Sequence, residues 1–111
     1  MNDNYPVIVK SYELTLWYLK KLEKLPKNHR FTIGERIQES LLDLVLILSD
    51  AIYSSRKKDL LLQANKSIEK IRLLTRLLKD LTLLSNENFR FVTNSLNEIG
   101  AMVGGWIKHV K

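Results

Sequence analysis

The sequence predicts an all-α fold, an antiparallel up-down-up-down four-helix bundle, and three observations carry that reading. Apolar residues recur every three or four positions along four long segments, the period of an amphipathic helix. Only four Gly and two Pro occur in the 111 residues. The connections between segments are short, which favours antiparallel neighbours. The length fits a single domain over residues 1–111, large enough to bury a core without disulfides or a structural metal.

The first helix is predicted from about Val7 to Leu25, with Ile8, Tyr12, Leu19 and Leu22 on its inner face. Pro26 ends it, because proline disfavours helical geometry in the residue before it. The stretch from Pro26 to Phe31 reads as a connection, and Thr32-Ile33-Gly34-Glu35 as a capping box that opens helix two. Ile33, Ile37, Leu41, Leu44, Leu48 and Ile52 face inward on that helix, which ends near Ser54-Ser55. Helix three is expected from near Asp59, an acid suited to the positive end of a helix dipole, to about Leu83. Its core stripe is Leu60, Ala64, Ile68, Ile71, Leu74 and Leu78. Ser85 is the predicted cap of helix four, with Leu84 and Phe89 placed as a hydrophobic staple. Phe89, Val92, Leu96, Ile99, Val103, Trp106 and Val110 then form a heptad seam. Gly100, Ala101, Gly104 and Gly105 interrupt it, and either a close neighbouring helix or helix termination near Gly104 would account for them.

Composition narrows the function classes. The chain is 45% hydrophobic and 27% charged, as a folded protein is. Without cysteine it has no disulfides, thiolate chemistry or cysteine zinc site. His29 and His109 have no partner at metal-ligand spacing, Gly34 stands alone rather than in a phosphate-binding loop, and no nucleophile lies near a base in sequence. The reading is a non-enzymatic protein with no cofactor. Met1 to Pro6 lacks the basic and apolar parts of a leader, and the longest uncharged run, Ile99–Ile107, has nine residues, about half of what a membrane span needs. A cytoplasmic protein without membrane contact is expected.

Two surface patterns point to partners. Leu62, Leu73 and Leu77 lie nearly opposite the core stripe of helix three, and Leu42, Leu46 and Tyr53 point away from that of helix two. A second apolar stripe on each helix predicts a homo-oligomer interface without fixing its symmetry. Charge is concentrated as well. Ser55 to Lys79 carries eight basic residues against two acids, which equals the whole net charge of +6. Within it Arg72, Arg76 and Lys79 fall within about 60° of one another around the helix and form a ridge. Lys66 and Lys70 make a second row, and Lys20, Lys24 and Arg30 add basic positions on helix one and the loop after it. Such patches hold phosphate backbones, RNA or DNA, through counterion release.

Three blocks carry a resemblance: Pro26-Lys27-Asn28-His29-Arg30-Phe31-Thr32-Ile33-Gly34-Glu35-Arg36-Ile37, Leu77-Leu78-Lys79-Asp80-Leu81, and Glu98-Ile99-Gly100-Ala101-Met102-Val103-Gly104-Gly105-Trp106-Ile107-Lys108. Together they closely resemble the accessory variability determinant (Avd) proteins of diversity-generating retroelements. The resemblance implies a four-helix bundle that assembles into a basic, barrel-like homopentamer, binds the retroelement's reverse transcriptase and nucleic acid, and supports mutagenic copying of a template RNA into cDNA. Under it Arg72, Arg76 and Lys79 become contacts for polymerase or for template, with the choice between them open. A more distant group, encoded in intervening sequences of 23S ribosomal RNA genes, shares the bundle and supplies the alternative: an oligomeric scaffold with no retroelement role.

Overall fold

In the computed structural model, which describes residues 4–110, four long helices pack into a rod of 44 × 23 × 23 Å. Met1 to Asp3, half of the stretch examined for a leader, and Lys111 lie outside the described residues. The helices are α1 (Pro6–Leu22), α2 (Glu35–Tyr53), α3 (Lys57–Asp80) and α4 (Asn86–His109). No strand occurs among the described residues. Both α1 and α3 pack on α2 and on α4, so the four axes form a square with α1 and α3 on one diagonal. Across that diagonal the Tyr18 hydroxyl meets Thr75 Oγ1 at 2.7 Å.

The core follows the seams of α2 and α4 closely. Ile37, Leu41, Leu44 and Leu48 are buried, as are Val92, Leu96, Ile99 and Val103, with Ile33, Ile52, Trp106 and Val110 packed on their flanks. A leucine at such a site is worth roughly 2–5 kcal/mol against alanine.

On α1 the expected face is wrong by a rotation. Tyr12 is exposed and Leu19 only partly covered, whereas Val7, Ser11, Leu14, Thr15 and Tyr18 are buried with Ile8 and Leu22. The cause is that polar residues count as core here. The Ser11 hydroxyl donates to the Val7 carbonyl and Thr15 Oγ1 to the Ser11 carbonyl at 2.7 Å, so each reaches the interior satisfied. The stripe of α3 shifts in the same way: Leu61 is fully buried and Leu60 and Leu74 partly, beside buried Ser67 and Thr75.

The capping box does not form, and Pro26 begins a helix instead of ending one. α1 stops at Leu22. Pro26, extended at ψ 145°, accepts the amides of His29 and Arg30 at 2.9 Å each, which opens a helical turn at Lys27–His29. A π-helical turn, Arg30–Gly34, then runs straight into α2. Thr32 therefore sits inside the helix, and its hydroxyl donates to the Asn28 carbonyl at 3.1 Å. Gly34 is buried in the wide turn, where a Cβ would lie 3.2 Å from Leu25 Cδ1 and 3.4 Å from the His29 carbonyl oxygen.

The end of α3 comes three residues before its expected limit. Thr82 takes a left-handed φ of 60°, and the amides of Thr82 and Leu83 donate to the carbonyls of Lys79 and Leu78 at 2.9 Å each. This is a Schellman stop with threonine where glycine usually stands. Ser85 caps α4 as expected, its Oγ accepting the Asn88 amide at 3.0 Å. α4 continues to His109, so the glycines do not end it, and a Cβ on Gly104 or Gly105 would meet nothing within 4 Å. For those two glycines no close helix approach among the described residues supplies a reason either, whereas a Cβ on Gly100 would lie 3.7 Å from the Arg72 guanidinium.

Candidate nucleic-acid interface

Cations on a bundle surface can serve two masters, the fold and a polyanion, and their partners tell which. Within the basic segment of α3 most serve the fold. Arg56 donates to Asp59 at 2.9 Å, and Lys57 Nζ donates to the carbonyls of Ile52 and Ser54 at 2.8 Å, closing the end of α2. Arg72 donates to Asn97 Oδ1 at 2.7 Å and to Glu69 at 3.2 Å. Arg76 reaches both oxygens of Asp80 at 3.2 Å, and Lys79 Nζ stands 4.5 Å from the Phe89 ring centroid. The ridge of Arg72, Arg76 and Lys79 thus exists, along the seam between α3 and α4, but all three members have partners in the chain.

The grip differs along the ridge. Arg72 is a tie between two helices, its side chain only 31% exposed. Arg76 and Asp80 are both well exposed, and a pair of that kind contributes little, so phosphate can compete for Arg76.

Other cations have no partner among the described residues: Lys58, Lys66 and Lys70 on α3, Lys20 on α1, and Lys24 and Lys27 beyond it, all exposed. Arg30 donates to the Leu25 carbonyl at 3.1 Å and braces the π-helical turn. At about 100° per residue Lys66 and Lys70 fall among Leu62, Leu73 and Leu77, so the second basic row shares a face with the apolar stripe of α3. On α2, Glu39, Asp43 and Asp50, all exposed and without partners among the described residues, likewise border Leu42 and Leu46.

The six residues of the apolar stripes are all exposed, from Leu42 at 41% to Tyr53 at 83%. Phe31, 62% exposed on the π-helical turn, is an apolar surface residue that reading helix faces alone does not find. The aromatic step formed by Trp17 and Phe91, with centroids 4.7 Å apart, is another. Its only sequence signal is two aromatics on different helices. No cluster of three or more acidic or histidine side chains able to hold a metal ion occurs among the described residues, and no helix there is long and apolar enough to cross a membrane.

Fold and surface together define a four-helix, all-α protein with free lysines and uncovered leucines arranged along its helices. The chain belongs to the bAvd-like family, whose model matches residues 7–110. The resemblance read from the three sequence blocks is thereby borne out. No curated protein matches the chain.

Proposed function

We propose that this chain is a non-enzymatic accessory protein of a diversity-generating retroelement, a single-domain antiparallel bundle that works as a homopentamer. It binds the reverse transcriptase and nucleic acid, the template RNA and its cDNA, and supports mutagenic reverse transcription. Membership of the bAvd-like family over residues 7–110 carries this reading. Geometry supports it in two ways. Contacts between α1 and α4 run in opposite chain order, Tyr5 to Trp106, Lys10 to Glu98 and Trp17 to Phe91, as antiparallel helices require. Lysines without partners among the described residues, Lys20 and Lys24 foremost, are free to release counterions from a phosphate backbone.

The test is retention of RNA and of the tagged polymerase by the purified protein, followed across a salt series. Lys20→Glu with Lys24→Glu is expected to flatten the slope of log affinity against log salt by about 2, one for each lost phosphate contact. No retention of either partner at low salt would sink the proposal. The scaffold reading draws on the internal pairing of Arg72 and Arg76, and that outcome would favour it.

A further inference from the structure

Phe91 of α4 leans on Trp17 of α1, their planes inclined by 47°, yet the pair does not finish in the core. Phe91 stays 44% exposed. Trp17 packs on the core with one side and with the other lines an open surface groove, together with Glu13, Leu16, Lys20, Lys21 and Lys24. Lys21 Nζ stands 5.4 Å from the Trp17 ring centroid. Lys20, in the last turn of α1, and Lys24, just beyond its end, have no partner among the described residues. Glu13 is the single acid lining the groove against three lysines.

We infer that this groove, with the exposed Phe91 beside Trp17 and outside its lining, receives single-stranded nucleic acid, its bases stacking against the two rings and its phosphates lying on Lys20 and Lys24. The assignment rests on the function proposed above and adds the form of the ligand and the side chains that select it. Aromatic faces beside a row of cations hold single strands of any sequence, because every unpaired base offers a π-face. A duplex hides those faces and would use the lysines alone. A protein partner fits less well, since lysine is depleted at protein interfaces.

The test uses the full chain with Trp106→Phe, which leaves Trp17 as the sole tryptophan. Single-stranded RNA of about 20 nucleotides is expected to quench its emission, and a duplex of equal length to leave it nearly unchanged. Phe91→Ala, at an exposed position, should weaken single-strand binding about tenfold and duplex binding less than about twofold. If the parent binds neither nucleic acid at roughly 50 mM salt, the function proposal fails and the groove assignment with it. If the parent binds both but Trp17 emission stays constant and Phe91→Ala binds as the parent does, the groove assignment alone is overturned. It is overturned in favour of a protein contact if Phe91→Ala loses the polymerase while keeping the single strand.

Discussion

The α2/α3 edge and the α1/α4 edge of the bundle lie opposite each other and are built from different side chains. The first exposes leucines, Leu42, Leu46, Leu62, Leu73 and Leu77, bordered by acids on α2 and by Lys66 and Lys70 on α3. The second exposes Leu16 and Phe91 around Trp17, bordered by Lys20, Lys21 and Lys24. The contrast separates two uses of unburied apolar surface. Aliphatic side chains flanked by charges of both signs can pair two different faces of neighbouring copies, the acid-bordered α2 face of one against the lysine-bordered α3 face of the next, as a closed ring requires. Aromatic rings flanked by three lysines and a single acid attract a polyanion.

The largest expected effect follows directly. Leu46→Glu together with Leu73→Glu should reduce the protein from oligomer to monomer in light scattering with helicity intact, because both residues are exposed at 62% and 72%. Leu16→Glu on the other edge, exposed at 48%, should leave the mass unchanged. Equal loss of mass in both variants would break the distinction between the edges.

The apolar surplus that defines the first edge was legible in the sequence, because helical periodicity places a side chain on a face whatever the rest of the chain does. So were the seams of α2 and α4 and the Ser85 cap. Periodicity failed where polar groups enter the core: Ser11 and Thr15 read as surface residues until their hydroxyls are seen bonded to the preceding turn. It failed at Thr32-Ile33-Gly34-Glu35 because a box motif and a continuous helix place the same residues at the same spacing, and the amides accepted by Pro26 decide for the helix. The partners of the basic ridge on α4, Asn97 and Phe89, are distant in sequence and invisible to spacing. The α1 groove escaped for the same reason.

Tyr18 and Thr75 join the two edges across the core, and alkali tests that joint. Burial pushes the Tyr18 phenol up to about 12 from its ordinary 10, with the Thr75 hydrogen bond acting in the opposite direction. A phenol whose folded pKa is raised ionises more readily in the unfolded chain. Its contribution to stability is full below pH 10 and is lost as pH climbs from about 10 toward 12, to a total of about 3 kcal/mol. Tyr18→Phe should remove that part of the alkaline decline in denaturant midpoints, while costing about 1 kcal/mol at neutral pH for the unpaired Thr75 hydroxyl. Parallel alkaline curves for parent and variant would mean that the joint does not hold Tyr18 neutral.

The smallest effect belongs to the turn where the leucine edge passes into the aromatic one, between α3 and α4. Thr82 stands there at φ 60°, a conformation that costs a β-branched residue about 1–2 kcal/mol and glycine almost nothing. Its side chain is exposed and donates only to the adjacent Leu81 carbonyl, so little is lost with it. Thr82→Gly should therefore raise the unfolding free energy by about 1 kcal/mol, reduced from the full strain by the extra freedom glycine gives the unfolded chain. A lower midpoint in urea would show that threonine is held for a contact outside the chain. Because the turn sets how α4 lies against α3, and so how Phe91 meets Trp17, a stabilised variant with unchanged single-strand affinity would assign the strain to the stop alone and leave the two edges independent.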